Sequence, residues 1–393
     1  MKTILHEISQ QCVECGKCSR ECGFLTRHGN PKQIADRYIQ NSMEDADLAY
    51  GCSLCGLCTS VCPAGLRPAD LFLEMRRDAI RKGQYDLSPH AGLLAYEKRG
   101  TSKRFTWYGL PEACDTIFFP GCTFAGTRPE RTREIFAYMR RYIPNLGIVL
   151  DCCTKPSHDL GRQDYFTAMF GEMKSFLIKN GVRNVLVACP NCYRVFRDYG
   201  DGLRVKTVYT FFVSNGLRFS NQTDQQVAVH DPCALRFEGA VHADIRNLIR
   251  RTGISVVKMK HEQTQTICCG EGGDVGRNAP DLAAGWIGMR KAEAGPLPLI
   301  AYCAGCVNYL RPHVPTHHVL DLIFAPEQTL AGRTKIKKAP FTYLHRLKMK
   351  RDFRRSLDTA VTRERPTAAE ERKSIGSRAA RLADFLLHRR QSD

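Results

Sequence analysis

The chain has 393 residues, 43% of them hydrophobic, which suits two or three units with buried cores. Its nineteen cysteines follow a start, MKTILHEISQQCVEC, without an apolar leader, and no run of about 18 apolar residues occurs; a secreted disulfide protein and a membrane-spanning one are both disfavoured, and a reducing cytoplasm leaves metal ligation as the use of the thiols. The net charge of +18 is uneven, because residues 331–393 hold 18 Lys/Arg against 7 Asp/Glu, a net of +11.

Residues 1–80 are rich in Cys and Gly, with helical stretches expected at 31–39, where Ile34, Tyr38 and Ile39 share a face, and at 70–77. Two cysteine runs frame them. Cys12-x2-Cys15-x2-Cys18-x3-Cys22 is followed after 29 residues by Cys52-x2-Cys55-x2-Cys58-x3-Cys62-Pro63. Tight x2 loops wrap three thiolates around one corner of a cubane, and the fourth cysteine of each run characteristically ligates the other cluster. The expected sets are Cys12, Cys15, Cys18 and Cys62 for one [4Fe–4S] cubane, and Cys52, Cys55, Cys58 and Cys22 for a second. Zinc is the rival, but it favours separated ligand pairs over four in a run. The first run ends Cys22-Gly23 where a proline often follows, a departure that removes no ligand. The helical insertion between the runs resembles the α-helical ferredoxin type.

Residues 81–113, with Gly83, Pro89, Gly92, Gly100 and Pro111, read as a connector. Beyond them short apolar runs alternate with helical periods: strands at 116–119, 147–150 and 184–188, helices at 128–142 and 165–180, then strands at 226–229, 254–257 and 297–302 with a helix at 245–251. That alternation predicts an α/β fold with largely parallel sheets, preceded by a mainly α-helical ferredoxin-type domain. The expected units are 1–80, 114–215, 226–325 and a basic, partly helical or disordered tail over 331–393. The cysteines fall just after strands, on the loops where open α/β sheets place their ligands.

These cysteines form an internal repeat. Cys122, x29, Cys152-Cys153, x35, Cys189-x2-Cys192 is matched by Cys233, x34, Cys268-Cys269, x33, Cys303-x2-Cys306. A zinc site would use four ligands and leave one cysteine idle in each copy, so five thiols suggest something larger than a simple cubane. The pattern resembles the cysteine-rich CCG domain of heterodisulfide reductases and related oxidoreductases, and the segment from Cys22 to Ala35 resembles the ferredoxin part fused to that module in the D subunit of those enzymes. Over roughly residues 10–325 the resemblance implies two non-cubane [4Fe–4S] clusters besides the cubanes. It also implies a site that cleaves a disulfide in single-electron steps, and redox partner subunits. Relatives with incomplete copies, such as the anaerobic glycerol-3-phosphate dehydrogenase and glycolate oxidase iron–sulfur subunits, are read as electron carriers; both copies here are complete.

The copies differ after the adjacent pair. The second continues Gly270-Glu271-Gly272-Gly273, so Gly270, Gly272 and Gly273 are expected to cradle the cofactor and bring backbone N–H groups close to sulfide. The first continues Thr154-Lys155-Pro156, which leaves Lys155 to offer a charge. His230, just before Cys233, is a candidate proton shuttle to a departing thiolate, as are Lys155 and His158; the plainer reading of each is local packing or hydrogen bonding. Cys114 is left over, and a buried inert thiol is expected. No Gly-x-Gly-x-x-Gly introduces a helix, so electrons are expected to arrive through other proteins. In the tail, residues 378–390 put Leu382, Phe385 and Leu386 on one face flanked by Arg, suiting an anionic membrane surface on the cytoplasmic side or a partner protein. Nucleic acid is not expected from charge alone. The leading expectation is an iron–sulfur oxidoreductase subunit passing electrons to a disulfide- or thiol-type substrate. The alternative is a non-catalytic carrier linking a dehydrogenase to a quinone or membrane partner.

Overall fold

The computed structural model describes residues 2–41, 47–217 and 223–366; the amphipathic run at 378–390 lies outside them. The N-terminal part is helical. Asn30 accepts a hydrogen bond from the Gln33 N–H at 3.0 Å while the Gln33 side chain accepts one from the Asn30 N–H at 3.0 Å, and Pro31 follows, so helix Pro31–Gln40 starts on a reciprocal cap. Ile34, Ala35 and Tyr38 from this helix share a core with Leu5 and Ile8 of helix Lys2–Gln11 and with Leu71, Phe72 and Met75 of helix Pro68–Arg81. Ile39 does not join them and is 43% exposed, because it sits a full 100° beyond Tyr38 around the helix.

The strands are β1 (Trp107–Leu110), β2 (Thr116–Phe119), β3 (Gly147–Leu150), β4 (Asn184–Val187), β5 (Arg204–Thr207), β6 (Gln226–His230), β7 (Ser255–Val257), β8 (Leu299–Ala301), β9 (Thr316–His318) and β10 (Val361–Arg363). They build a six-stranded sheet in the order β10-β1-β3-β2-β4-β5 and a four-stranded one in the order β7-β6-β8-β9. All pairs in the smaller sheet are parallel, as are those among β2, β3, β4 and β5; β1 runs antiparallel to both β3 and β10. The central strands β2, β3 and β8 are buried from end to end, and β6 is buried beyond its first residue, as strands covered on both faces must be. The chain is thus an α/β protein with a duplicated module behind a helical ferredoxin-type part. The two sheets share one core, in which Phe118, Ile148 and Leu186 meet Val227, Val229 and Ile300.

Two stretches read from sequence as peripheral are built into the first sheet. Within 81–113, helix Ala91–Gly100 precedes β1, which the flanking glycines and prolines concealed. In the basic tail, helix Phe341–Ser356 buries Met349 and Phe353 in the shared core, Phe353 edge-on to Phe136 at 5.0 Å. The chain then closes the sheet as β10, pairing Tyr108 with Arg363. Much of the tail's described charge is neutralised locally: Lys350 and Arg354 pair with Glu364, and Arg365 pairs with Asp151 and Glu172. Among the described residues no helix is long and apolar enough to cross a membrane.

Candidate functional site

Cys12, Cys15, Cys18 and Cys62 line one hollow together with Val13, Pro63 and Leu66. This is the exposed end of the molecule: Cys15 is exposed and Val13 is 68% exposed. Cys22, Cys52, Cys55 and Cys58 form a second group, each within electrostatic reach of others in it, and Cys18 faces Cys22 and Cys58 across the gap between the groups. Burial, with Cys55 adding, pushes the Cys22 thiol up to about 11. The fourth cysteine of each run therefore lies with the first three of the other.

The five thiols of each repeat also converge: parallel strand ends deliver them to one edge of each sheet, except that Cys268 and Cys269 arrive on a longer loop beyond β7. In the first module Cys122 Sγ lies 3.9 Å from Cys152 Sγ, and Cys192 Sγ lies 3.5 Å from Cys153 Sγ. Cys189 contacts Cys192 and also Cys303 of the second module. In the second, Cys233 contacts Cys268, Cys269 contacts both Cys268 and Cys306, and Cys303 contacts Cys306. The two five-thiol groups thus touch through Cys189 and Cys303. On its other side the second group meets the ferredoxin part, where Cys268 is within electrostatic reach of Cys55. Cys114 stands apart: its thiol donates to the Thr116 carbonyl at 3.2 Å, and burial raises it to about 11.

Several features suit sulfide-bearing clusters. The Leu54 N–H points at Cys52 Sγ at 3.4 Å and the Gly270 N–H at Cys268 Sγ at 3.2 Å, the backbone arrangement that stabilises anionic sulfur. His230, 1% exposed at the end of β6, has no hydrogen-bond partner on either ring nitrogen and has a ring nitrogen within 4.8 Å of Cys269 and Cys306. A buried imidazole with two idle nitrogens beside thiols requires an acceptor that the protein alone does not provide. Burial, with Arg290 adding, holds it down to about 3, hence neutral. Five thiols per module also exceed what zinc would use. The residues fit iron–sulfur clusters.

Gly270 brings its N–H to Cys268 Sγ as expected, while Gly272, Gly273 and Lys155 are held in other contacts. Gly270 has φ 95°, and a Cβ there would meet Tyr309 at 2.6 Å. Gly272 and Gly273 serve the join between the second module and the ferredoxin part: a Cβ at 272 would stand 2.6 Å from the Ser53 carbonyl, and one at 273 would stand 3.0 Å from the Cys52 carbonyl. In the first module Thr154, fully buried, takes φ 55° where the second has Gly270. A β-branched residue there is strained. Lys155 is held in a buried ion pair with Asp159 and faces Cys233 and Glu271 across the module boundary. His158 is satisfied by Asp159 at 2.8 Å and the Tyr199 hydroxyl at 2.7 Å, the plainer of its two readings.

Sequence reasoning missed three residues. Arg76, fully buried, donates to the carbonyls of Ala49 (3.1 Å), Cys52 (2.5 Å), Asp159 (2.7 Å) and Gly273 (3.1 Å), so one guanidinium ties the ferredoxin part to both modules. Arg236 likewise bridges the Cys55 carbonyl (3.0 Å) and the Thr266 carbonyl (2.6 Å). Glu271 turns its carboxylate over Gly305, where any Cβ would collide with it, and lies within 4.8 Å of Cys303 and Cys306. Glu271 is exposed to solvent, unlike the buried Cys303 and Cys306 beside it. Glu271 and Cys122 line the same cavity, of about 900 Å³, with Arg311, Lys337, Lys338 and Arg346. The Cys122 thiol is drawn down to about 6, first by its hydrogen bond with Cys152 and then, against burial, by Arg346.

Comparison with known proteins accords with this geometry. Residues 8–66 match the model of the 4Fe-4S dicluster domain, and residues 116–197 and 227–311 match that of the cysteine-rich domain. The chain is 25% identical over 334 residues to the D subunit of dihydromethanophenazine:CoB–CoM heterodisulfide reductase from Methanosarcina barkeri, covering 69% of this chain and 80% of that one. It is 24% identical over 316 residues to the B subunit of fumarate reductase (CoM/CoB) from Methanothermobacter marburgensis, covering 72% and 62%. Over 75 residues it is 35% identical to the C subunit of ferredoxin:CoB-CoM heterodisulfide reductase from Methanosarcina mazei, covering 18% and 47%.

Proposed function

We propose that this iron–sulfur protein, which has the dicluster and paired cysteine-rich domains of the heterodisulfide reductase D subunit, takes electrons at its exposed N-terminal end and uses them to reduce an organic disulfide in the cavity beside Cys122. One observation carries the reading: the thiol groups form an unbroken succession from exposed Cys15, through the group around Cys55, to Cys268, then across the Cys303–Cys189 contact to Cys122 at the cavity. The expected ligands are Cys12, Cys15, Cys18 and Cys62 for one cubane, Cys22, Cys52, Cys55 and Cys58 for the other, and five cysteines for each of two non-cubane [4Fe–4S] clusters. When bound, such clusters supply one-electron storage and transfer.

The chain's own residues do the rest. Arg76 and Arg236 hold the ferredoxin part against the second module, where a displacement of an ångström or two would weaken electronic contact. His230 supplies ring nitrogens to the second five-thiol group. Glu271, whose carboxylate lies in the cavity beside Cys303 and Cys306, is placed to hand a proton to a leaving thiolate. A protein that only carries electrons needs no cavity at its last thiol; this chain has one. The electron donor is expected to be a partner protein, docking where Cys15 and Val13 are exposed.

Anaerobic reconstitution followed by iron and sulfide analysis tests the cofactor content, with about sixteen irons per chain expected for four tetranuclear clusters. EPR spectra of the reduced protein should change on adding a disulfide. No spectral change and no thiol release with any disulfide would overturn the catalytic reading.

A further inference from the structure

We infer that His230 gives one ring N–H to a sulfur of the cluster held by the second five-thiol set, and that this bond, which the first set lacks because Phe119 stands in its place, makes the second cluster the more easily reduced of the two. The inference rests on the iron–sulfur reading above and orders two sites that the repeat alone would make alike.

The duplication supplies its own control. His230 ends β6 three residues before Cys233, and Phe119 ends β2 three residues before Cys122. Their partners across the sheets correspond as well: His230 pairs with Ala301, two residues before Cys303, and Phe119 with Val187, two residues before Cys189. Each side chain lies with the same two thiols of its module. A ring nitrogen of His230 is within 4.8 Å of Cys269 and Cys306 Sγ, while Phe119 shares an apolar cluster with their counterparts Cys153 and Cys192.

Phe119 is satisfied there by packing alone, edge-on to Phe196 at 5.2 Å. An imidazole at that depth is not. His230 is 1% exposed, and neither ring nitrogen has a hydrogen-bond partner. The neighbouring carboxylate does not serve it, because Asp231 accepts from both Nη atoms of Arg246 at 2.9 Å, from the Tyr302 hydroxyl at 2.9 Å and from the Gln263 N–H at 2.7 Å. Buried polar groups are paired, and the acceptors left to the ring N–H are the sulfurs gathered around Cys269 and Cys306. Uptake of one electron from the one-electron donor adds one negative charge to a cluster. An N–H aimed at sulfur stabilises that charge and so favours the reduced form. The second cluster therefore fills before the first.

EPR-monitored redox titration of the full-length, anaerobically reconstituted protein tests the inference, with the second cluster identified as the signal that C268S abolishes. In the unsubstituted chain that signal should have the higher midpoint of the two five-thiol clusters. H230F, which copies the first module, should shift its reduction equilibrium about tenfold towards the oxidised form, about 59 mV lower for one electron, and leave the first cluster's midpoint in place. H230Q, whose amide keeps an N–H, should recover part of the shift. Pulsed EPR of protein carrying isotope-labelled histidine should show a weak nitrogen coupling to the reduced second cluster that H230F lacks. The coupling is read on the unsubstituted chain, so it decides the matter if H230F does not fold. No nitrogen coupling, a coupling strong enough for iron ligation, the opposite order of midpoints, or an unchanged midpoint in a fully loaded H230F each overturns the inference. An unsubstituted chain that assembles no cluster on the second set overturns the iron–sulfur reading instead.

Discussion

The two cysteine-rich modules carry the same five thiols in the same order, yet their surroundings are opposite. The second is enclosed. Cys268 abuts the ferredoxin loop, Gly272 and Gly273 press against Ser53 and Cys52, and His230 is sealed behind the thiols. The first opens at Cys122 onto a cavity walled by cations, and its backbone takes the left-handed turn at Thr154 without a glycine. Duplication supplies two similar ligand sets; their neighbours set one against the ferredoxin part and the other against a cavity.

Losing a ligand should separate the modules most sharply. Cys268→Ser and Cys122→Ser should each lower disulfide reduction by about 100-fold or more. They differ upstream: C122S should leave electron arrival at the second module intact, and C268S should not, as freeze-quench EPR with a viologen donor would show. Equal spectra from both variants would collapse the distinction.

Arg76→Met removes the guanidinium that four buried carbonyls share and should cost about 3–5 kcal/mol in anaerobic denaturant titration, with the join between ferredoxin part and second module loosening first. A loss under about 1 kcal/mol would show that the glycine contacts hold the join alone. Gly270→Thr forces a Cβ toward Tyr309 at a positive φ and should destabilise by about 3 kcal/mol.

Acid should act through histidines that burial holds low, His158 in the first module and His230, His242, His317 and His318 in the second. Burial holds His318 well below the usual histidine range, with Arg128 and Arg131 adding, and burial also lowers His242. A histidine with a depressed folded pKa is fully stabilising above its unfolded value near 6.5, and that contribution is lost as pH falls below it. Stability should therefore decline as pH falls below about 6.5, with His318 contributing up to about 1.4 kcal/mol per pH unit, and His318→Gln should flatten the slope. The smallest expected effect is Thr154→Gly, a gain of about 1 kcal/mol from relieved backbone strain. A loss instead would mean that the Thr154 hydroxyl, bonded to the Cys153 carbonyl at 2.8 Å, outweighs the strain.

Much was legible in the sequence wherever the deciding interactions are local. The C-x2-C spacings, the five-cysteine repeat, the strand runs at 116–119 and 147–150 and the capped helix at 31–40 are short-range patterns, and they named the family resemblance and the α/β class. Position Thr154 was readable as a departure, though not as a left-handed residue, since its conformation is imposed by the loop that must bring Cys153 beside Cys192. What the sequence left open was decided by residues far apart in the chain. Strand β1 inside the supposed connector pairs with β3 and so offers β10, inside the supposed tail, a sheet edge, pairings invisible to either segment alone. Arg76 reads as one of several basic residues on a helix until packing buries it against carbonyls from three regions. Tertiary structure likewise set Cys189 against Cys303, turned Glu271 over Gly305 and brought a basic segment from beyond residue 330 to the wall beside Cys122. Ligand spacing is a local constraint on the backbone, while a cavity and the order of sites around it arise only when distant surfaces meet.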